Sequence, residues 1–450
     1  MHIQQVQIKN FRCFEDLTVN LNPDVNIFVG NNGSGKSAVL DAIASAMYPY
    51  VGELQLATDR VNKYSDRAPI FQRDLPVKNN YTEFKNIAKF VVLSENFPSW
   101  QVKYEKGIID NDNEPLTHYS LEDILYPTNS YKISDYLNQI INGLQPKIFV
   151  LTYYKANRNL IDVTDNRNLI SITDFNKISN KSFDRFDALK NAFDATADFT
   201  DLVNWFFLRD LQQLREKNKR RDFDFELPDL KQIGIAISTI IAPNARVYFA
   251  QTTLAKLMVE WETETGEKIE LSLNQLSSGY RNMLALVMDF ARRLAQANPQ
   301  MENPLEAEAV LMIDELDLHL HPTWQQKIIP DLRKVFPNTQ IIATTHSPEI
   351  VTTVERHQVK ILENYQIKEC PTPTRGRTSS DIVRDVLGLN NLRPDTEESK
   401  TLAALFDAID NDNLEEAKKL REELQDWEMF DAEITKADMQ IQRLKRKLSA

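Results

Sequence analysis

The chain has 450 residues, and 53 Lys and Arg against 65 Asp and Glu give it a formal net charge of −12; it has no molecule-wide basic footprint for nucleic acid, so any contact with a phosphate backbone must be local. Two cysteines, Cys13 and Cys370, offer neither a disulfide framework nor a zinc site and fit a reducing compartment. No apolar leader opens the sequence, and the longest apolar stretch, Ile233 to Ala242, is too short and broken to span a bilayer, so a cytoplasmic protein with no membrane segment is expected.

In chain order, the apolar run Val25 to Val29 leads into Gly30-Asn31-Asn32-Gly33-Ser34-Gly35-Lys36-Ser37 and then a helical stretch from Ala38 to Met47. Strand, glycine-rich loop and helix in that order are what a phosphate loop requires. Backbone N–H groups around Asn31, Gly33 and Gly35 can turn inward as an anion nest, and the helix N-terminus adds partial positive charge. Lys36 would reach the outer phosphates of ATP, and Ser37 would ligate Mg²⁺. Further on, Ile87 to Leu93 and Trp100 to Tyr104 alternate as an antiparallel hairpin does. Lys147 to Thr152 reads as another strand and runs into Tyr153-Tyr154-Lys155-Ala156-Asn157-Arg158.

From about 160 to 245 the pattern is helical. Arg209, Arg215, Lys217, Lys219, Arg220 and Arg221 cluster there beside Trp205, Phe206 and Phe207; they form either a solvated helix face or a track for phosphates. Residues 246–275 return to alternating strands, with Thr265-Gly266 as a hairpin turn. Leu276-Ser277-Ser278-Gly279-Tyr280-Arg281 then precedes an amphipathic helix marked by Met283, Leu284, Leu286, Val287, Phe290 and Leu294, which places a second anion site at a helix N-terminus.

Val310 to Ile313 has the continuous apolarity of a buried parallel strand and ends in Asp314-Glu315. Two adjacent carboxylates can divide the work there: Asp314 would hold the Mg²⁺ shell while Glu315 polarises the attacking water. His319 and His321 sit at i, i+2, which on a strand could pair them on a metal, although no cysteine lies near. Ile341 to Thr345 is a further buried strand, and it ends at His346-Ser347-Pro348, so His346 would sit at a carboxyl strand end and could touch the γ-phosphate. Beyond about 365 come a segment rich in Pro, Thr and Arg, with a small basic patch of Lys368, Arg375 and Arg377, and then helical spacing to the end. Its last stripe is Ala437, Ile441, Leu444 and Leu448, too short for a stable coiled coil by itself; it would pack on its own lobe, on a dimer mate or on a partner, so 366–450 is expected to be a partner-docking or dimerisation tail.

The phosphate loop, the Leu-Ser-Ser-Gly-Tyr segment, the Asp-Glu strand, the run Leu316 to Pro322 and Thr345 to Pro348 together resemble the ABC-type ATPases of the RecF and structural-maintenance-of-chromosomes class. The opening Asn10-Phe11-Arg12, which in this class is a strand beside the nucleotide, extends the likeness. The resemblance implies an α/β head with a phosphate-loop mixed sheet and an antiparallel β-subdomain, here with a short helical insertion and a helical C-terminal tail. It implies a division into 1–158, 159–245, 246–365 and 366–450, with Arg12 beside the nucleotide, a D-loop carrying Asp317, and catalysis by Glu315 and His346. Asn157 or Arg158 would stand where the class usually has a coupling glutamine. The insertion has no room for a long heptad arm.

Since the Ser277-Ser278-Gly279 surface has no phosphate in its own lobe, two chains are expected to meet head to tail, each closing on the ATP held by Lys36 of the other, with Asp317 along the seam. LSxGYR and DExDLHLHPxWQ patterns are shared with the ATPase subunits of Septu and retron anti-phage systems. That likeness implies a partner nuclease of HNH type and a DNA or retron DNA/RNA ligand; the tail itself has no strand pattern of an acidic nuclease domain. A stand-alone RecF-like repair ATPase is the alternative.

Overall fold

The computed structural model describes residues 2–57, 87–95, 98–105, 118–124, 133–142, 147–156, 185–193, 199–250, 256–263, 265–389, 392–427 and 431–449. They form two compact units, Met1–Ile382 and Val383–Ala450.

The larger unit contains three sheets. Strands β1 (His2–Phe11), β2 (Phe14–Asn20) and β3 (Val25–Val29) open the chain, followed by β4 (Ile87–Glu95), β5 (Ser99–Glu105), β6 (His118–Ile124) and β7 (Val150–Tyr154). Later come β8 (Arg246–Ala250), β9 (Lys256–Glu262), β10 (Lys268–Ser272), β11 (Ala309–Ile313), β12 (Thr339–Thr344), β13 (Val359–Glu363) and β14 (Gln366–Glu369). The central sheet has the order β14-β13-β3-β12-β11-β7, and all its neighbours are parallel except β14 on β13. β3, β7, β11 and β12 are buried at every position, which is why their sequences are mainly apolar, with Asn26, Thr152, Thr339, Gln340 and Thr344 as buried polar exceptions. The second sheet, β2-β1-β4-β5-β6, is antiparallel throughout and contains the expected hairpin, with Ile87 opposite Glu105. The third is the antiparallel β10-β9-β8, turned at Gly266.

Side-chain chemistry ties the first two sheets together. Gln340, buried on β12, accepts from Ile3 N at 2.9 Å and donates to Ile3 O at 2.8 Å and Asn22 O at 2.7 Å. The helix α1 (Lys36–Ala57) is buried at most of its positions from Lys36 to Leu54, so it shows little amphipathic character. Pro49 inside α1 has no N–H and therefore leaves the carbonyl of Ser45 without its helical donor. Tyr104 of β5 supplies one, its hydroxyl donating to Ser45 O at 2.7 Å, and Trp100 Nε1 donates to Ala46 O at 2.9 Å. The antiparallel sheet thus holds the phosphate-loop helix at the point where the helix is weakest.

Two expectations shift. Asn10 to Arg12 is only partly strand: β1 ends at Phe11, Phe11 pairs with Phe14, and Arg12-Cys13 is the turn between them, with Arg12 at φ 46°. The central sheet also continues past residue 365, because Asn364 and Tyr365, both at positive φ, form a tight turn that brings β14 back onto β13. The Lys368, Arg375 and Arg377 patch is not a free cationic surface: these side chains pair with Glu363, Glu355 and Asp381.

The smaller unit is built on helices Glu397–Asp410, Leu414–Glu423 and Ala432–Ser449, the first two capped by Thr396 and Asn413. Its core is Leu402, Leu405, Ala408, Ile409, Ala417, Leu424, Ile434, Ala437 and Ile441. The stripe through Ala437 and Ile441 therefore packs on its own neighbouring helices. Arg421 grips Asp438 through two hydrogen bonds of 2.6 and 2.9 Å. Arg393 joins Asp431 and Glu433 and lies 5.4 Å from the Trp427 ring centre.

Candidate functional site

The glycine-rich loop leaves β3 and enters α1 with backbone that only glycine tolerates at its tightest point. Gly30 has φ 151°, and a Cβ there would lie 2.4 Å from Leu362 O. Gly33 and Gly35 also have positive φ. Lys36 Nζ curls over the loop and donates to Gly30 O at 2.9 Å and Asn31 O at 3.0 Å. Burial lowers its pKa, while the charges of Asp314, Glu315 and Asp317 act in the opposite sense. The phosphate-loop lysine and the downstream carboxylates therefore share one electrostatic neighbourhood. Ser34 Oγ is buried within the loop without a hydrogen-bond partner, and Asn31, Gly33 and Ser37 are exposed. A glycine cradle, a buried cation, an orphaned hydroxyl and an open Ser37 fit a polyphosphate, and Ser37 with Asp314 supplies the oxygen donors that Mg²⁺ requires.

The carboxylates stand where β11 ends. Asp314 N donates to Tyr154 O on β7 at 2.9 Å, which fixes the strand end. Thr344, the last residue of β12, serves both acids: its Oγ1 donates to Asp314 Oδ1 at 2.6 Å and accepts from Glu315 N at 2.7 Å. Glu315 itself adopts φ 50°, a left-handed conformation that costs a non-glycine residue on the order of 1 kcal/mol.

Asp317 and His346 are brought together within one chain. Asp317 Oδ1 accepts from Thr345 Oγ1 at 2.5 Å and from His346 N at 3.2 Å, while the His346 side chain remains exposed. His319 is exposed at φ 63°, and its carbonyl packs on Gly279: a Cβ at Gly279 would come within 2.4 Å of it. Ser277 caps the helix Ser278–Ala297 by accepting from Tyr280 N, and both Ser277 and Ser278 are exposed. Tyr280 stacks on Trp261 of β9 at 6.0 Å and meets Trp324 edge-on at 4.5 Å, which anchors the start of this helix to two other segments.

Arg12 sits in the turn after β1 and is tied to the helix that follows the phosphate loop. Its Nη1 donates to Asp41 Oδ2 of α1 at 2.5 Å, and its guanidinium lies 5.2 Å from the Phe11 ring centre. Burial raises the Asp41 pKa; Arg12 and Lys155 oppose that shift. Asn157 and Arg158 lie outside the described residues; the last described residues before them are Lys155 and Ala156. Among the described residues no group of three potential metal-ligating side chains occurs, so His319 and His321 find no third ligand there. No described helix is long and apolar enough to cross a membrane.

Residues 25–352 match the family model described as "AAA domain, putative AbiEii toxin, Type IV TA system". The chain belongs to this AAA-domain family. A second model, "AAA ATPase domain", matches residues 1–48 of the AAA-domain chain. The chain is 28% identical over 465 residues to the "Retron Vc95 probable ATPase" of Vibrio cholerae serotype O1 biovar El Tor, covering 94% of this chain and 86% of the relative. It is 27% identical over 209 residues to "Septu protein PtuA" of Bacillus thuringiensis, covering 43% and 50%. "DNA replication and repair protein RecF" of Clostridium botulinum (strain 657 / Type Ba4) is 39% identical over 415 residues, covering 82% of this chain and all of the relative. Among solved structures, the SmcHead bound to the C-winged helix domain of ScpA superposes with a TM-score of 0.44 at 14% identity, covering 82% of this chain and 97% of that one.

Three residues of this AAA-domain site went unrecognised in the sequence. Thr344 was read only as part of an apolar strand, although a hydroxyl at the end of such a run is itself a signal. Asp41 carries no motif, and Gln325, although it ends the DExDLHLHPxWQ pattern, has no role that the pattern states; only the fold reveals what they touch.

Proposed function

We propose that this AAA-domain protein binds and slowly hydrolyses ATP as a head-to-tail homodimer and, in anti-phage defence, controls a partner nuclease of HNH type. The observation that supports it best is the electrostatic grouping of Lys36 with Asp314, Glu315 and Asp317 at one end of a parallel sheet. In this reading the loop N–H groups and Lys36 hold the phosphates, and Ser37 with Asp314 holds Mg²⁺, which neutralises phosphate charge when bound. Thr344 orients Asp314 and the Glu315 backbone. Glu315 accepts a proton from the water that attacks the γ-phosphorus, and ADP leaves with the displaced electron pair. His346 contacts the γ-phosphate. Ser277 and Ser278, exposed at the helix start, with the buried Gly279 beside them, close on the ATP of the second chain. Turnover is slow because the site is complete only while two chains are engaged.

The defence role rests on the retron and Septu relatives. The RecF relative favours a second reading, a stand-alone repair ATPase whose hydrolysis is stimulated by DNA without a partner protein. One experiment separates them. Tagged Glu315→Gln protein is purified with Mg-ATP from its host, and retained proteins and nucleic acids are identified. A nuclease-like polypeptide or a small structured nucleic acid is the outcome expected from a defence ATPase; bulk DNA alone points to repair. In parallel, Lys36→Ala should lose nucleotide binding, whereas Glu315→Gln should keep it and stop turnover. Native turnover in Glu315→Gln would remove the assignment of the water-activating residue.

A further inference from the structure

Gln325 ends the short helix Pro322–Gln325, five residues past Leu320, the end of the stretch that packs on Gly279. Its amide has a partner at each end. Nε2 donates to Leu320 O at 2.8 Å and reaches Asp317 O at 3.4 Å, and Oε1 accepts from Ser347 Oγ at 2.7 Å. A neutral amide offers a donor to a carbonyl and an acceptor to a hydroxyl from one planar group, which an ionised carboxylate or an apolar side chain of the same size does not. Ser347 is buried, caps the following helical turn through Ile350 N at 3.2 Å, and donates its own N–H to Thr345 Oγ1 at 3.0 Å. Thr345 Oγ1 in turn donates to Asp317 Oδ1. The result is a closed ring of hydrogen bonds, Asp317 to Thr345 to Ser347 to Gln325 and back to the 317–320 backbone. His346 lies within this ring, held through its own N–H to Asp317.

The 317–320 stretch therefore has two rigid flanks. On one side the His319 carbonyl is pressed against Gly279 at the start of the Ser278–Ala297 helix, so closely that no Cβ fits between them. On the other side Gln325 and Asp317 fasten the stretch to the His346 loop. We propose that Gln325 is a positioning residue that makes the 317–320 stretch and the His346 loop move as one body. Engagement of the exposed Ser277-Ser278 helix start, next to Gly279, by a second chain's nucleotide is thereby relayed to His346 at the first chain's own site. The proposal rests on the ATPase reading above and deepens it: it assigns the link between the two half-sites.

The test is ATP turnover and equilibrium ATP binding, measured on the full chain as native protein, Gln325→Leu, Ser347→Ala, Ser347→Thr and the double variant Gln325→Leu/Ser347→Ala. Gln325→Leu keeps the side-chain bulk and removes both hydrogen bonds. It is expected to bind ATP within about twofold of native while kcat falls by about tenfold and the cooperativity of turnover in ATP is lost. A purely structural role would move affinity and thermal midpoint along with kcat. Ser347→Ala cuts the same link from the other side, Ser347→Thr retains the hydroxyl and should keep most of the turnover, and the double variant should be no slower than the worse single. If Gln325→Leu does not fold, the contrast between Ser347→Ala and Ser347→Thr carries the same prediction. Native turnover and cooperativity in Gln325→Leu, or losses that multiply in the double variant, would overturn the proposal alone. Native protein that binds ATP and never turns it over would remove the ATPase reading and the proposal with it.

Discussion

At the scale of single residues, close approach rather than charge decides the most sensitive positions. Gly279 has ordinary backbone angles, so it is glycine for lack of room: the His319 carbonyl occupies the space a methyl group would need. Gly279→Ala must push that carbonyl away and shift the 317–320 stretch. Turnover is expected to fall at least about tenfold while ATP still binds at Lys36, a pattern read by comparing steady-state rates with equilibrium nucleotide binding. Loss of binding instead would mean that the glycine supports the whole lobe. The need for glycine here could be read in the sequence as part of a motif, but its cause could not, because His319 lies forty residues away and its φ of 63° is set by tertiary contacts. Arg12 shows the opposite limit. Its presence was legible and its partner was not: burial of Asp41 on α1 draws the guanidinium to that carboxylate. Lys36, Asp314 and Glu315 were legible because a phosphate site demands those residue types at strand ends, a local requirement that leaves a local trace.

At the scale of elements, the Ser278–Ala297 helix is held by a buried ionic cluster that has no motif. Asp289 accepts from Arg292 at 2.6 Å, from Arg293 at 2.8 Å and from the Tyr154 hydroxyl at 2.8 Å; Arg293 also donates to the carbonyls of Ala188 and Lys190. Tyr154 belongs to β7, and its own carbonyl takes the Asp314 amide, so the cluster joins this helix to the strand beside the acidic pair. Burial alone would raise the Asp289 pKa, but the two arginines outweigh it and hold the carboxyl at about 2. A folded-state pKa below the unfolded value near 3.8 contributes stability that is complete above pH 3.8 and is lost as pH falls through about 2. Asp289→Asn strands two buried guanidinium groups and should cost roughly 3–5 kcal/mol at neutral pH. The gap from native, followed by urea midpoints at pH 7, 5 and 3, should narrow toward the acid end; a gap constant across that range would show that the charge of Asp289 is not what stabilises the helix. The helix was legible from its apolar spacing, whereas a reader of the sequence would place Asp289, Arg292 and Arg293 on a solvated face. β14 was missed for a different reason: the turn before it uses Tyr365 where Gly would announce a tight hairpin.

At the scale of the whole molecule, the C-terminal helices form a unit with their own core, and this changes how their role must be tested. A stop after Phe430 looks in the sequence like removal of one peripheral helix. In the structure that helix supplies Ile434, Ala437 and Ile441 to the core, and its loss would expose Leu402, Leu405 and Ile409. Each such side chain is worth about 1.5–3 kcal/mol when buried, so the remaining two helices should not hold together. Loss of a partner in that variant would report unfolding and not docking. A stop after Leu389 removes all three helices while keeping the helix Ser379–Asp385 and the central sheet through β14. That shorter protein is expected to bind ATP with native affinity and to resist protease as a folded head, whereas the stop after Phe430 should be trimmed rapidly to about the same fragment. Limited proteolysis with intact-mass readout and a nucleotide-binding titration on both truncations decide the matter. If the shorter form loses ATP binding, the helical unit supports the head and cannot serve as a separable docking module; if the longer form stays protease-resistant, the last helix contributes less to the core than its buried side chains imply.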